Sequence, residues 1–334
     1  MIRLSALFRR PVSGAETRIS ALLLRLSVIG LVFLIQSCAS APPQRPKAWI
    51  DAEQYLQQGT QAFHDDEYAQ AADSFSRALK TYLSIDHYPG MIDSYSNLIE
   101  TTIAIGNYAL AHQQLEKIDQ LMSDHNDNSR KTRLAVLKVK LLFNQADYTQ
   151  ALSTLQPLLP EFNAQQQLQN RNSDSLNIIS SMARISVTTV SDDADLWLQR
   201  FQLALQPDQR SSIRYQALLL RLQAQRLQQL GKFSDSAALL EQALSLYHQQ
   251  AYRRGIAATL QQLADLEVSQ QHWELADHYL QRALQIHLWT LNRHESIQVL
   301  QQLVSINQLL GMDQAAENFA LQLLKLRSGD AVRR

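Results

Sequence analysis

The chain has 334 residues, with 31 Lys+Arg against 31 Asp+Glu, nine glycines and a single cysteine. The zero net charge hides two unlike parts. The first 37 residues hold five arginines and one glutamate, so the remainder carries 31 − 5 = 26 basic and 31 − 1 = 30 acidic side chains. A mildly acidic body offers no phosphate-neutralising surface, which excludes nucleic acid as the expected partner. One cysteine excludes a disulfide framework or a cysteine-based zinc site. Scarce glycine leaves little material for phosphate-cradling loops, and 41 glutamines among still more leucines give a helix-former composition.

Residues 26–35 (LSVIGLVFLI) are apolar and follow Arg3, Arg9, Arg10, Arg18 and Arg25. This is the pattern of a secretory signal, and the run is shorter than the roughly 20 residues of a bilayer span. It ends in Ile35-Gln36-Ser37-Cys38. The tetrapeptide resembles the lipobox of bacterial lipoproteins, which implies removal of residues 1–37 and acylation of Cys38. Several acyl chains together hold a protein on a membrane where one is marginal. By the same resemblance, Ala39 rather than Asp after the cysteine implies the outer membrane of a Gram-negative cell. Residues 38–48 follow as a tether whose Pro42, Pro43 and Pro46 make it extended and semi-rigid.

Between residues 49 and 327 the chain repeats itself. A turn residue is followed by an aromatic, then Ala three further on, then apolar residues four and seven beyond that. The unit reads Tyr68, Ala71, Phe75, Ala78; then Gly106, Tyr108, Ala111, Leu115, Ile118; then Tyr148, Ala151, Leu155, Leu158. It returns as Gly231, Phe233, Ser236, Leu240; as Trp273, Ala276, Leu280; and as Gly311, Ala316, Ala320, Leu323. The small residue falls at 71, 111 and 151, and again at 236, 276 and 316. The gap between the two series leaves room for one lengthened copy, expected over residues 168–187 and 192–205 with Ser191 or Asp192 as a helix cap.

The pattern resembles the tetratricopeptide repeat, in the 40-residue spacing of some bacterial members. The resemblance implies an all-α solenoid, a right-handed superhelix of about seven helix–turn–helix units, each a helix A and a helix B. Gly106, Gly231 and Gly311 fall at the A–B turn, where a left-handed backbone costs them least. The small residues let helix B approach its neighbours, and the aromatic fills the wedge between helices. Pro157, Pro160 and Pro207 fall where helices should end.

No site for chemistry stands out. The histidines lack metal-ligand spacing, no nucleophile motif or cofactor fingerprint is present, and Asp192, Asp193 and Asp195 read as charges at a helix N-terminus. Trp197 and Trp289 read as core or wedge residues. The expectation is therefore a non-enzyme without cofactor or metal, acting through a surface. If the family geometry holds, helices A line a groove. It would show Glu53, Leu56, Thr60, Phe63 and His64, then Asp93, Ser96, Glu100 and Ile103, then Arg133, Val136, Lys140 and Phe143. Its far half would show Leu218, Arg221, Gln225 and Gln228, then Asp265, Gln298, Gln301 and Gln308. The cations Arg133, Lys140 and Arg221 are the expected source of affinity, with Phe143 and Gln225 beside them. Side-chain amides suit the backbone of an extended peptide.

Residues 328–334 are a short tail, and Leu321, Leu323, Leu324 and Leu326 before it are expected to expose apolar area, inviting a homodimer through the last repeat. Three roles stay open: an adaptor recruiting periplasmic or envelope proteins, a pilotin or structural subunit of a pilus or secretion complex, and a peptide or muropeptide sensor.

Overall fold

The computed structural model of the chain describes residues 45–161, 173–205 and 210–328. The expected leader, Cys38, Pro42, Pro43, Pro207 and the tail after residue 328 lie outside the described residues. Those described fold as fourteen α-helices and one 3-10 segment, with no strand among them. Seven pairs succeed one another: α1 Lys47–His64 with α2 Tyr68–Ser84, α3 Tyr88–Ile105 with α4 Tyr108–Asp124, and α5 Lys131–Asn144 with α6 Tyr148–Leu155. Then come α7 Ser173–Thr188 with α8 Ala194–Ala204, α9 Arg210–Gln229 with α10 Phe233–Gln249, α11 Arg253–Ser269 with α12 Trp273–Trp289, and α13 Arg293–Leu309 with α14 Asp313–Ser328. Each helix packs chiefly on those just before and after it in sequence, the architecture of a helical repeat array.

The array is metered by its backbone. Eight non-glycine residues and three glycines adopt positive φ, at positions 66, 86, 106, 126 and 146, at 190, and at 231, 251, 271, 291 and 311. Within each series of five the step is 20 residues. At every one of these positions the next residue donates its N–H to the carbonyl five residues back, at 2.8–3.0 Å. This is the closure that ends a helix on a left-handed residue. The three expected glycines occupy it, at φ 82, 74 and 69. Val190 and Leu291, however, hold the same conformation at φ 54 and 56, where a side chain costs about 1–2 kcal/mol. The next helix then begins at once. Asn107, Asp147 and Asn292 each accept the N–H three residues on, at 3.2, 3.0 and 3.2 Å, which satisfies one orphan donor of each new helix.

Ala71, Ala111, Ala151, Ser236, Ala276 and Ala316 are all buried. Ser236 donates its hydroxyl to the Ala224 carbonyl at 2.9 Å, tying α10 back to α9. The aromatics that open the second helices lie against the end of the first: Phe63 meets Tyr68 and Phe143 meets Tyr148 edge-on, with centroids 5.4 and 5.3 Å apart. A second wedge sits between consecutive pairs. The Tyr82 and Tyr247 rings fill the space over Gly90 and Gly255, where an added Cβ would come within 2.5 Å of the ring. His287 occupies the equivalent position 40 residues after Tyr247, buried and 2.9 Å from Gln261 Oε1.

Three details differ from the sequence reading. Helix α6 stops at Leu155, because Pro157 has no N–H to continue it, and residues 156–161 wind into a 3-10 segment. The lengthened copy is present as α7 and α8, but the N-cap of α8 is Asp193, whose carboxylate accepts from Ser191 Oγ at 2.6 Å and Trp197 Nε1 at 2.9 Å. Trp197 is a core residue, whereas Trp289 is 45% exposed and lies beneath the Arg253 guanidinium at 4.0 Å. That stacking, rather than a wedge, is what its ring provides.

The first pairs also touch the late ones directly. The N-cap of α11, Tyr252, contributes no side-chain cap. Asp66, 187 residues away, supplies it: its buried carboxylate accepts the Arg253 N–H at 3.0 Å and the Tyr68 hydroxyl at 2.5 Å. Arg253 Nη1 returns a bond of 2.7 Å to the Asp65 carbonyl. A carboxylate at a helix N-terminus meets both orphan N–H groups and the positive end of the dipole. One repeat on, the Gly106 turn meets the start of α13 in nearly the same register. An added Cβ on Gly106 would lie 2.6 Å from His294 Cβ, while Tyr108 and His294 rings sit 4.9 Å apart. The equivalent positions at Gly231 and Gly311 face nothing within 4 Å. Gly106 is therefore required twice, for φ and for this approach.

Equal backbone geometry should thus give opposite responses. Val190→Gly and Leu291→Gly should each raise Tm by about 1–3 °C, since relieved strain exceeds the added unfolded-state entropy. Asp66→Gly should instead destabilise by about 2–4 kcal/mol, by leaving the Tyr68 hydroxyl and a helix N-terminus unpaired. Gly106→Ala should cost more than Gly311→Ala. Thermal and urea unfolding of the five variants measure this.

Burial pulls the His287 imidazole down to about 4, against an opposing pull from Glu295 and a reinforcing one from Arg254. The unfolded chain therefore binds the proton first. Stability is complete above pH 6.5 and falls by about 1.4 kcal/mol per pH unit toward pH 4, up to about 3 kcal/mol in all. His287→Gln should flatten this slope in urea titrations run across the same range.

Candidate partner-binding face

The helices A are α1, α3, α5, α7, α9, α11 and α13, and residues of one recur beside those of the next one repeat later. This register produces a ladder of polar contacts along the face. Arg133 on α5 reaches Asp93 on α3 at 3.4 Å, and Lys140 reaches Glu100 at 2.8 Å, both across 40 residues. On the far half, Arg221 Nε donates to Gln262 Oε1 at 2.6 Å and Arg221 Nη2 to the Ala258 carbonyl at 3.1 Å. Burial would raise the Glu100 carboxyl, but Lys140, Arg133 and Arg254 together hold it below its ordinary range. The three cations expected to supply affinity are thus held by partners within the chain.

Other expected groove residues divide. Ser96, Ile103 and Val136 are buried, not displayed. Ile103 and Val136 belong to the cores between pairs, and the Ser96 hydroxyl turns back to the Ile92 carbonyl at 2.8 Å. Helix α3 is covered on nearly all sides, so its faces do not split into core and groove as an outer helix would. Glu53, Thr60 and His64 are exposed, Leu56 and Phe63 half-buried. Thr60 bonds its own helix at the Leu56 carbonyl, 2.8 Å away. Leu218 is half-buried against the core, Gln298 lies 2.9 Å from His294 Nε2, and Gln301 and Gln308 are exposed.

Phe143 and Gln225 remain available. The Phe143 ring is half-buried and carries the Arg184 guanidinium 3.9 Å above it. Arg184, on α7, makes neither an ion pair nor a hydrogen bond with any described residue. Burial and then the neighbouring Arg221 and Arg254 draw it down to about 10, still cationic at neutral pH. Arg254, on α11 beside Tyr68, stays above the ordinary range despite its burial, because Tyr252, Tyr68 and Asp66 favour its charge. Gln225 lies in a cleft of about 420 Å³ between α9 and α11, lined by Gln225, Gln228, Gln229, Gln262 and Asp265.

Sequence reasoning missed Arg184, Arg254 and Gln262. Arg184 stands in the lengthened copy, outside the 40-residue phase, so no repeat pattern could point to it. The ladder pairs were within reach: opposite charges recur one repeat apart at 93 and 133 and at 100 and 140. No group of three metal-ligating side chains lies together among the described residues, and none of the described helices is long and apolar enough to cross a membrane. At the last pair, Leu321 and Leu324 are 50% and 61% exposed, while Leu323 and Leu326 pack against the core of α12 and α13.

These features define a helical-repeat protein whose helix-A face carries paired charges, amides and aromatic rings. Among known proteins, the model of the family of 26S proteasome subunit RPN7 matches residues 54–189. No curated protein matches the chain. Similar solved structures include BtubC (BKLC) from P. vanneervenii, 12% identical, aligned over 87% of this chain and 94% of that one with a TM-score of 0.33. A second is pilF of Pseudomonas aeruginosa, 15% identical over 85% and 95% of the two chains, with a TM-score of 0.31.

Proposed function

We propose that the chain is a lipid-anchored helical-repeat scaffold, without chemistry of its own, that holds extended segments of envelope proteins along its helix-A face at the periplasmic side of the outer membrane. The observation that carries the binding role is the state of that face. Its charges are paired internally at Asp93–Arg133 and Glu100–Lys140, yet beside them Arg184 on its Phe143 platform and Gln225 in its cleft form no ion pair or hydrogen bond with any described residue. Amides spaced along a face can bond a peptide backbone in either direction, and a stacked guanidinium is already ordered to receive a carboxylate or carbonyl. Placement at the outer membrane is supported by the basic leader, the apolar run and Cys38 followed by Ala39.

Crosslinking and pull-down from envelopes should recover a defined partner with the native chain. Recovery should fall at least about tenfold with the variant Phe143→Ala/Arg184→Ala/Gln225→Ala, while Arg133→Ala/Lys140→Ala should lower stability more than recovery. Equal recovery by all three proteins would remove the helix-A face from the interaction.

Cys38→Ala should leave the chain soluble in the periplasmic fraction and without acyl label in metabolic labelling with palmitate. A variant that stays in the membrane after carbonate extraction would contradict the lipid anchor.

A further inference from the structure

The cleft between α9 and α11 contains a carboxylate that no described cation neutralises. Asp265 stands among Gln225, Gln228, Gln229 and Gln262. Gln302 of α13 donates to its Oδ1 at 3.2 Å. No described lysine, arginine or histidine forms an ion pair with it. Arg221, on the same side of α9, is already spent on Gln262 Oε1 and the Ala258 carbonyl. Gln228 is engaged with the Asp265 carbonyl at 3.3 Å and Ser269 Oγ at 3.0 Å, which fixes one wall. Among the described residues Gln225 makes no hydrogen bond, and the Gln262 amide nitrogen donates none.

Asp93 and Glu100 each have a cation one repeat later, Arg133 and Lys140. Asp265, in the cleft, pairs with no described cation. A volume of about 420 Å³ falls in the lower part of the range of pockets that enclose a ligand, about 300–1,000 Å³. That is room for one long side chain with its flanking peptide groups. Burial also raises the Asp265 carboxyl above its ordinary range.

We infer that this cleft is a specificity pocket for a lysyl or arginyl side chain of a bound peptide segment, with Asp265 pairing the cation and the free amides of Gln225 and Gln262 taking the adjacent peptide groups. The inference rests on the peptide-binding reading of the helix-A face. Insertion of a cation would complete the ladder at its unpaired rung, where complementary charge selects the side chain that enters.

The test uses the full-length chain in detergent and acetylated, amidated hexapeptides of Ser and Ala with one central Lys, Arg, norleucine or Glu, titrated by calorimetry and by amide chemical shifts. Lys and Arg peptides should bind at least about tenfold tighter than the norleucine peptide, the equivalent of about 1.4 kcal/mol, and the Glu peptide more weakly still. In Asp265→Asn, which keeps the acceptor for Gln302, the Lys and norleucine peptides should bind alike. Its Tm at pH 7 should equal or exceed that of the native chain, so loss of discrimination is not loss of fold. Equal binding of all four peptides by the native chain would overturn the cationic pocket while leaving the helix-A face as a peptide site. Lysine preference retained in Asp265→Asn would overturn the role of Asp265. Failure of every peptide to bind would overturn the peptide-binding reading itself.

Discussion

The constraint on which the structure depends is a backbone one: a left-handed residue every 20 positions, closed by a hydrogen bond five residues back. Because first and second helices stop after the same number of residues, equivalent side chains of successive pairs come level with one another. Everything else follows from that alignment. The buried small residues stack against neighbours of the same kind, Tyr82 and Tyr247 find glycines opposite them, and cations of one repeat meet carboxylates of the one before. The meter does not require glycine. Asp66, Ala146, Gln271 and Leu291 adopt the conformation too, so packing on both sides sets the turn and the residue tolerates it.

Closure between early and late pairs is a second consequence of regular metering. A constant step brings the Asp66 turn to the start of α11 and the Gly106 turn to the start of α13 with nearly the same offset. Two contacts in one register act in concert. They convert an array stabilised only by nearest neighbours into one whose ends constrain each other. A helix N-terminus capped from 187 residues away couples the order of α11 to that of the first pair, and α11 forms one wall of the Asp265 cleft.

The helix-A face shows how internal pairing and recognition compete. Charges at exposed positions one repeat apart neutralise each other whenever their signs alternate, as Asp93 and Arg133 do. Such pairs add little stability, but they silence positions that would otherwise be read as binding groups. The informative residues are those the alternation leaves over. Arg184 lies where the repeat is lengthened and its phase broken, and Asp265 lies where the residue one repeat later is Ser305 rather than a cation.

By itself the sequence determined the helical class, the pair-by-pair organisation, the glycine turns and the small buried positions. These are local or periodic properties, written in helix propensity, in φ preference and in a spacing that survives translation along the chain. It also carried the basic and apolar N-terminal pattern and Cys38, on which the proposed anchor rests and which need no fold to be legible. Which polar residues face a partner was decided only in three dimensions. Ser96 and Val136 were lost to the core because α3 and α5 are covered by neighbours on more sides than a two-faced helix pattern allows. Arg221 and Lys140 were lost to partners a repeat away. The Asp66 cap on α11 and the bare carboxylate in the cleft depend on distances between residues far apart in sequence, and no local rule encodes those.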